Sequence, residues 1–492
     1  VSLALAPIFE RVAELVRRSL VTGRVAPEDS LTRTIAGSSP ATSTIQPPPG
    51  LLGELAQFIY HAAPRPVPEI ALAAAVGLTA GVCGRAYNVS GTGLNQYILL
   101  LANTGTGKES VAEGIDKIIN AVSMQIPVAD EFIGPSRIAS GQALYKYLSK
   151  KSQSFVSIVG EFGKRLEIMS SKNATSSEKN LLIEMLDLYH KSGYGRVAKP
   201  SIYSDQDKNT IAINSPAFSL LGESTPETFY NSLTEEMITD GLLPRFMLIE
   251  YNGKRPKLNE NHSKIFPNEE LITKMVILIN HVKTISRAHN RIVVNVNFTD
   301  DAYRLQKRFN EETDNKMNEA DKEIYRHLWN RAHLKALKIA ALVAVGINYI
   351  NPIIDVNCFN WAKNIVVNDI KSLAVKFESG TVGKNSEEVK QYQAFKKCLI
   401  EFVTSDWNKM KGYCNSTEQT MHSNKFIPRA FINNRIGKLA IFRNDRLGAA
   451  NALNRTLTIA LDDGLIVQVP RADLLKLGKT GKAFMLNSNV DL

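Results

Sequence analysis

Tyr97-Ile98-Leu99-Leu100-Leu101-Ala102-Asn103-Thr104-Gly105-Thr106-Gly107-Lys108-Glu109-Ser110 is the stretch whose reading decides the fold. An apolar run stops at a glycine-rich turn that ends in lysine. Gly105 and Gly107 let the backbone curl so that its N–H groups face an anion. Lys108 reaches the outer phosphates, and a following helix points its N-terminus at them. The candidate nucleotide ligands are therefore Thr104, Gly105, Thr106, Gly107, Lys108, Glu109 and Ser110. The pattern G-x-x-x-x-G-K-[ST] is incomplete, since Ala102 stands for its first glycine and Glu109 for its hydroxyl. The other reading is a strand–turn–helix join with incidental glycines. Context has to choose between them.

The 492 residues suggest two to four domains. The charge of +11, from 59 Lys and Arg against 48 Asp and Glu, favours a polyanionic partner. Cys83, Cys358, Cys398 and Cys414 are scattered, which argues against a zinc site or a disulfide scaffold and for reduced thiols in a cytoplasmic setting. The longest apolar run, Ile70 to Cys83, falls short of the roughly 20 residues that span a bilayer. It reads as a buried helix. No charged-then-apolar leader with a cleavage signature is evident, and the expectation is a protein neither secreted nor in a membrane.

Residues 1–50 read as a short amphipathic piece and a Ser/Thr/Pro-rich linker, and 51–95 as a helical lead-in that is either a collar or part of the core. Val111, Ile115, Ile118, Ile119 and Val122 then recur at helical spacing, which supplies the strand–loop–helix context. An extended piece at Glu131–Gly134 precedes a helix over Ser140–Lys150. The strand Ser154–Val159 ends in Gly160-Glu161, and the strand Ala217–Leu221 ends in Gly222-Glu223-Ser224-Thr225-Pro226. Asp240-Gly241-Leu242-Leu243-Pro244-Arg245-Phe246 leads into a fifth apolar strand. Between them, Gly193–Lys199 and Asn209–Ile213 read as two arms of a hairpin with a basic tip. Five apolar strands with polar groups at their carboxyl ends describe an α/β fold, a mostly parallel sheet whose ligand lies on that edge.

In this order the segments Thr104–Lys108, Ile158–Gly163, Leu220–Pro226 and Asp240–Phe246 resemble the AAA+/RecA-like P-loop ATPases of bacteriophages and mobile elements, over about Leu51 to Lys376. The resemblance implies a P-loop core over 96–260 and a helical lid over 261–380; within this part 256–298 read as a polar connector with a strand, Arg291–Val296, and 299–378 as long helices. It implies ATP and Mg²⁺ as cofactors, Glu161 as the residue that polarises the attacking water, and Thr225 as a γ-phosphate sensor. Leu-Leu-x-Arg-Phe is similar to an element of MCM-type helicases, which implies that Arg245 is an arginine finger reaching a neighbouring subunit's nucleotide. Arg331, in Arg331–Ala340, resembles the second sensor arginine. A basic residue on a solvated helix face is the plainer reading of Arg331. A finger acting in trans requires a ring or filament, and the resemblance implies a hexameric ring.

Two residues depart from the family pattern: Glu109 replaces the Mg²⁺-binding hydroxyl, and Gly160 replaces the Mg²⁺-holding aspartate. One account links them, with Glu109 supplying from the loop the carboxylate that the strand has lost, so that Glu109 and Glu161 are the metal candidates. The other account is a degenerate site that binds nucleotide weakly.

Residues 379–386 break the pattern, and 387–492 read as three helices and a β-wing, resembling a winged-helix domain. From Lys384 onward there are 17 Lys and Arg against 10 Asp and Glu, an excess suited to phosphates. Arg446 and Arg455 at the third helix, and Lys479 and Lys482 on the wing, are the candidate contacts. A protein-docking winged helix with a solvated basic face is the alternative. In the hairpin, Arg196, Lys199 and Lys208 could track single-stranded DNA in a central pore, and packing on a neighbour is the equal alternative. Together these readings give an ATP-driven, ring-forming DNA helicase or translocase of phage or mobile-element replication, in the host cytoplasm, with a primase or polymerase as a further partner. The rival is a non-motor DNA-binding initiator or helicase-loader.

If Glu109 carries the relocated carboxylate, Glu109→Ala abolishes Mg²⁺-dependent hydrolysis and leaves the melting curve unchanged. Wild-type turnover by that variant rules the relocation out.

Overall fold

The computed structural model describes residues 46–492, apart from 172–173, 203, 205, 207–208, 234–236, 238–239, 288–291, 322, 379–386, 415–417, 446–447, 463 and 488–492. The N-terminal piece and most of the linker expected over 1–50 lie outside these residues.

The loop strand β1 (Tyr97–Ala102) sits inside a four-stranded sheet with β2 (Ser154–Val159), β3 (Ala217–Ser224) and β4 (Phe246–Tyr251). The order is β2-β3-β1-β4 and every pair is parallel. All six β1 residues are buried, as an apolar run covered on both faces requires. Four strands form instead of five. Pro127–Phe132 is a 3₁₀ turn, and the expected second strand is reduced to one parallel bridge between Ile133 and Val156 at the β2 edge. Pro127 lacks the N–H that a ladder needs.

Helices α1 (Leu51–Ala62) and α2 (Pro68–Cys83) belong to this core rather than to a separate collar. Every residue of α2 from Ile70 to Cys83 is buried, and its alanines let it lie close against the sheet, so a helix apolar all round has found cover all round. Following the loop, α3 (Ser110–Ser123) packs on both of them. Then come α4 (Gly141–Lys150), α5 (Phe162–Ser170), α6 (Ser176–Leu188) and α7 (Pro226–Ser232).

The expected polar connector over 256–298 contains a 19-residue helix, α8 (Glu269–Arg287). Leu271, Met275, Leu278, Ile279 and Val282 are buried at helical spacing, a signal masked by the polar residues around it. The expected lid helices are α9 (Asp300–Asn318), α10 (Glu323–Trp329), α11 (Ala332–Ile347) and α12 (Val356–Glu378). One contiguous apolar core runs from Leu51 to Leu373, so lead-in, sheet and lid helices share it.

A second core holds the C-terminal part: α13 (Glu387–Thr404), α14 (Arg429–Ile436) and α15 (Ala449–Asp462), packed through Phe395, Phe402, Phe431 and Leu457. An antiparallel sheet of Ile427–Pro428, Ala483–Leu486 and Ile466–Gln468 closes it. The three helices and the extended pair are the expected ones, with a short third strand added. No described helix is long and apolar enough to cross a membrane.

Lys335 on α11 joins three elements. Its Nζ lies 2.7 Å from Asp369 Oδ2 on α12 and donates to Phe246 O at the start of β4 (3.0 Å), with both ionic side chains fully buried. Breaking such a pair from one side leaves a charge uncompensated. Lys335→Met is therefore expected to lower the urea unfolding free energy by about 3–5 kcal/mol, and Lys335→Met with Asp369→Leu to recover most of it.

Candidate nucleotide site and its arginine partners

After Ala102 the chain leaves the sheet between β3 and β4, at the carboxyl edge where α/β sheets bind ligands. Gly105 (φ 76°) and Gly107 (φ 97°) take backbone angles that side chains avoid, which curls the loop. Lys108 Nζ donates to Ala102 O (2.9 Å), folding the ammonium back over the curl. Thr106 Oγ1 donates to Asn103 O (2.6 Å) and Ser110 Oγ to Gly107 O (2.6 Å). With their hydroxyl protons spent on the loop's own carbonyls, Thr106 and Ser110 brace it, while Thr104 is exposed at its tip.

Two arginines absent from the sequence reading close on the loop. Arg255 Nε donates to Gly105 O (2.8 Å), and the Arg65 backbone lies against Gly107. The signal for Arg255 was the basic run Lys254-Arg255-Pro256-Lys257 just past the carboxyl end of β4, the edge where functional groups gather. Arg65 carried no signal, because only folding brings the turn before α2 to the loop.

The acids sit as follows. Glu109 is exposed on the loop, and Glu161 is exposed on the turn after β2. Glu161 is held in the left-handed region (φ 51°), a conformation that costs a residue with a side chain. At Gly160 a methyl group would meet nothing within 4 Å, so glycine there answers no steric demand and an aspartate would fit. The carboxylate facing Lys108 is Glu223. Burial pushes its pKa up to about 7, Lys108 opposes that rise, and Glu109 and Glu161 add to it. Its place at a strand end inside the Gly222–Pro226 cluster is the signal that the sequence carries for it. Thr225 caps α7: its Oγ1 accepts from Thr228 N (3.3 Å) and bonds Thr228 Oγ1 (2.8 Å). Among the described residues, no group of three His, Cys, Asp or Glu is arranged to hold a metal. A Mg²⁺ ion here would be carried largely by phosphate oxygens and water, with Glu109 or Glu161 as the available protein ligands.

Arg245 and Arg331 lie at the other end of the sheet. Register pairs Ala102 with Tyr251 and Tyr97 with Phe246, so Arg245 stands just before β4, level with the start of β1, while the loop follows the end of β1. Seven residue steps separate the two ends, roughly 20 Å. Arg245 is half-buried: Nη1 donates to Gly241 O, Nη2 lies 3.5 Å from His190 Nε2, and Nε is buried with no partner among the described residues. Arg331 immediately precedes α11 and lowers the pKa of Arg245, His190 and Lys338, which places it in the same cluster. The two arginines are thus brought together, and neither is near Lys108 of its own chain.

In the hairpin, Val197–Ala198 pairs antiparallel with Ile213–Asn214. Arg196 and Lys199 are exposed, together with Tyr194, Ile202 and Ile211. Lys208 lies outside the described residues, as does Arg446. Arg455 is half-buried. It donates to Asp445 Oδ2 (2.8 Å) and Gln391 Oε1 (3.2 Å), and the second bond ties α15 to α13. The outer face of α15 carries Ala450, Asn451, Asn454 and Thr458, none of them charged, and Arg429 Nη2 donates to Asn454 Oδ1. Lys482 is exposed at the start of the Ala483–Leu486 strand, and Lys479 is half-buried.

Glu161→Gly is expected to raise the unfolding free energy by about 1 kcal/mol in chemical denaturation, because glycine carries no penalty at φ 51°. A loss of stability would show that the Glu161 side chain holds the turn.

No protein-family model matches the chain, and no curated protein matches it. Among solved structures, one described as "Structure of Drosophila ORC bound to DNA" aligns with 97% of this chain and 97% of its own at 10% identity and a TM-score of 0.20. A likeness of that size carries no argument about this chain.

Proposed function

We propose that the chain is a P-loop ATPase that assembles with copies of itself on DNA and works as a helicase or translocase. The observation that carries the reading is the separation just described. A curled glycine loop with its lysine sits at one end of β1, and at the other sit Arg331 and Arg245, the latter with a buried Nε that has no partner among the described residues. Phosphoryl transfer needs both kinds of group, cations beside the β- and γ-phosphates and a guanidinium for the charge that spreads in the transition state. Copies stacked head to tail bring one chain's Arg245 and Arg331 to the next chain's loop.

In this reading Lys108, Arg65 and Arg255 surround the phosphates, Glu161 orients the attacking water, and Mg²⁺ supplies charge neutralisation when bound. Glu223, close to half-protonated at neutral pH, takes up or releases a proton beside Lys108 as nucleotide charge arrives. Among its described residues the hairpin exposes the cations Arg196 and Lys199 and the side chains of Tyr194, Val197, Ile202 and Ile211, which suits a single strand, since bases stack or pack on apolar surface while cations follow phosphates. The winged-helix reading of 387–492 is supported by the order of its helices and strands. Asn451 and Asn454 on its exposed helix are residue types that pair with adenine edges. An initiator or loader that binds ATP without driving strand separation remains the rival, favoured by the missing carboxylate at Gly160.

Lys108→Ala is expected to reduce ATP turnover at least about a hundredfold, and Arg245→Ala to do the same without weakening ATP binding. Mixing the two inactive variants restores turnover, because a Lys108→Ala chain still offers Arg245 to its neighbour's intact loop. No recovery on mixing overturns the trans arrangement. ATP hydrolysis without displacement of a duplexed strand selects the loader reading.

A further inference from the structure

Four cations, Arg245, Arg331, Lys338 and Arg196, act on a single imidazole, His190. No carboxylate is among the groups that perturb His190, Arg245 or Lys338. Lys338 is fully buried and held by neutral oxygens, Asn95 Oδ1 (2.8 Å), Asn95 O (3.3 Å) and Tyr189 O (3.4 Å), with the Tyr189 ring 4.2 Å away. Burial and this surrounding charge push the His190 pKa down to about 3. The ring is therefore neutral at working pH, and a neutral imidazole has one lone pair to offer. Its Nε2 faces Arg245 Nη2 at 3.5 Å, and its ring stands edge-on to Tyr189 at 5.2 Å between centroids.

His190 is also the last step before the hairpin. Ser192 Oγ donates to Asn95 Oδ1 (2.7 Å), anchoring the chain two residues on. Ser215 Oγ donates to Gly193 O (2.8 Å), and Ser215 N to Arg196 O (2.8 Å), which clamps the two arms at their base. Asn95 joins the parts: it receives Ser192 from the hairpin side and Lys338 from the arginine side on the same oxygen. A shift of the hairpin base therefore reaches His190 through two covalently linked residues.

We propose that His190 is a positioning residue: it accepts a hydrogen bond from Arg245, sets the direction of that guanidinium, and ties it to the 193–214 hairpin, so that a single strand held by the hairpin alters hydrolysis of ATP on the neighbouring copy. This rests on the ATPase reading above. It adds a specific route by which nucleic acid on one chain changes the rate at the next chain's loop. A guanidinium misplaced by an ångström loses most of its effect on a transition state, so a weak contact suffices for regulation.

The test uses the full chain with His190→Ala, His190→Asn and His190→Gln, measuring ATP turnover with and without a poly-dT oligonucleotide, KM for ATP, and oligonucleotide affinity by fluorescence anisotropy. His190→Ala is expected to lower oligonucleotide-stimulated kcat about tenfold, leaving KM and oligonucleotide affinity within about twofold. His190→Gln, whose amide oxygen reaches Arg245, restores most of the stimulation. His190→Asn, which keeps a neutral polar group that falls short, behaves as alanine and covers the case in which alanine unsettles the fold. Adding Arg245→Ala to His190→Ala brings no loss beyond that of Arg245→Ala alone, since both act through one guanidinium. Unchanged stimulation in His190→Ala and His190→Asn overturns the inference alone, as does a fall in kcat that tracks lost oligonucleotide affinity or that glutamine does not restore. Absence of ATP hydrolysis by the wild type overturns the ATPase reading and this inference with it.

Discussion

The backbone ladder that holds β1 between β3 and β4 is the constraint on which the rest depends. Six buried residues bonded on both sides cannot slip, because a shift by one residue would turn every side chain to the opposite face. Burying Ile98, Leu99, Leu100 and Leu101 contributes about 1.5–3 kcal/mol each, which makes this strand the rigid axis of the molecule. Its length then sets the spacing between the glycine loop and the arginine cluster. No local rearrangement brings Arg245 to its own chain's Lys108. A chemistry that needs both must recruit a second copy.

Two buried lysines one turn apart on α11 show how differently the fold treats charge at that far end. Lys335 has its counter-ion, Asp369, and works as a structural tie between α11, α12 and β4. Lys338 has only carbonyl and amide oxygens and an aromatic face, and its pKa falls to about 7. Buried charges are usually paired. The region around Lys338, His190, Arg245 and Arg331 departs from that rule and stays electropositive, a state that an approaching phosphate relieves. At the loop end the imbalance is opposite in kind: Glu109, Glu161 and Glu223 come from three separate segments to the surroundings of one lysine.

Much of this was legible in the sequence wherever covalent neighbours carried the information. The apolar run, the glycines and Lys108 are contiguous, so the strand, the turn and the helix after them could be read directly. The same holds for Ser154–Val159, for Ala217–Ser224, and for the three helices and extended pair near the C-terminus. Helix α8 was equally present in the spacing of its apolar residues, but the polar stretch around it concealed it. A threonine before Pro226 suits a helix N-cap as well as a phosphate, and the cap is what only the structure shows.

The sequence by itself determined the elements, the curl of the loop and the presence of arginines beside the start of β4 and α11, because backbone propensity and side-chain period are local properties. Tertiary structure alone decided which end of the sheet each charge occupies. It brought Arg65 and Arg255 to Gly105 and Gly107, set Glu223 beside Lys108, consumed Arg455 in a pair with Asp445, and gathered Arg331, Arg245 and Lys338 around His190. Those placements depend on strand order and register, which are settled by packing between segments tens to hundreds of residues apart, and no single window of the chain contains that information.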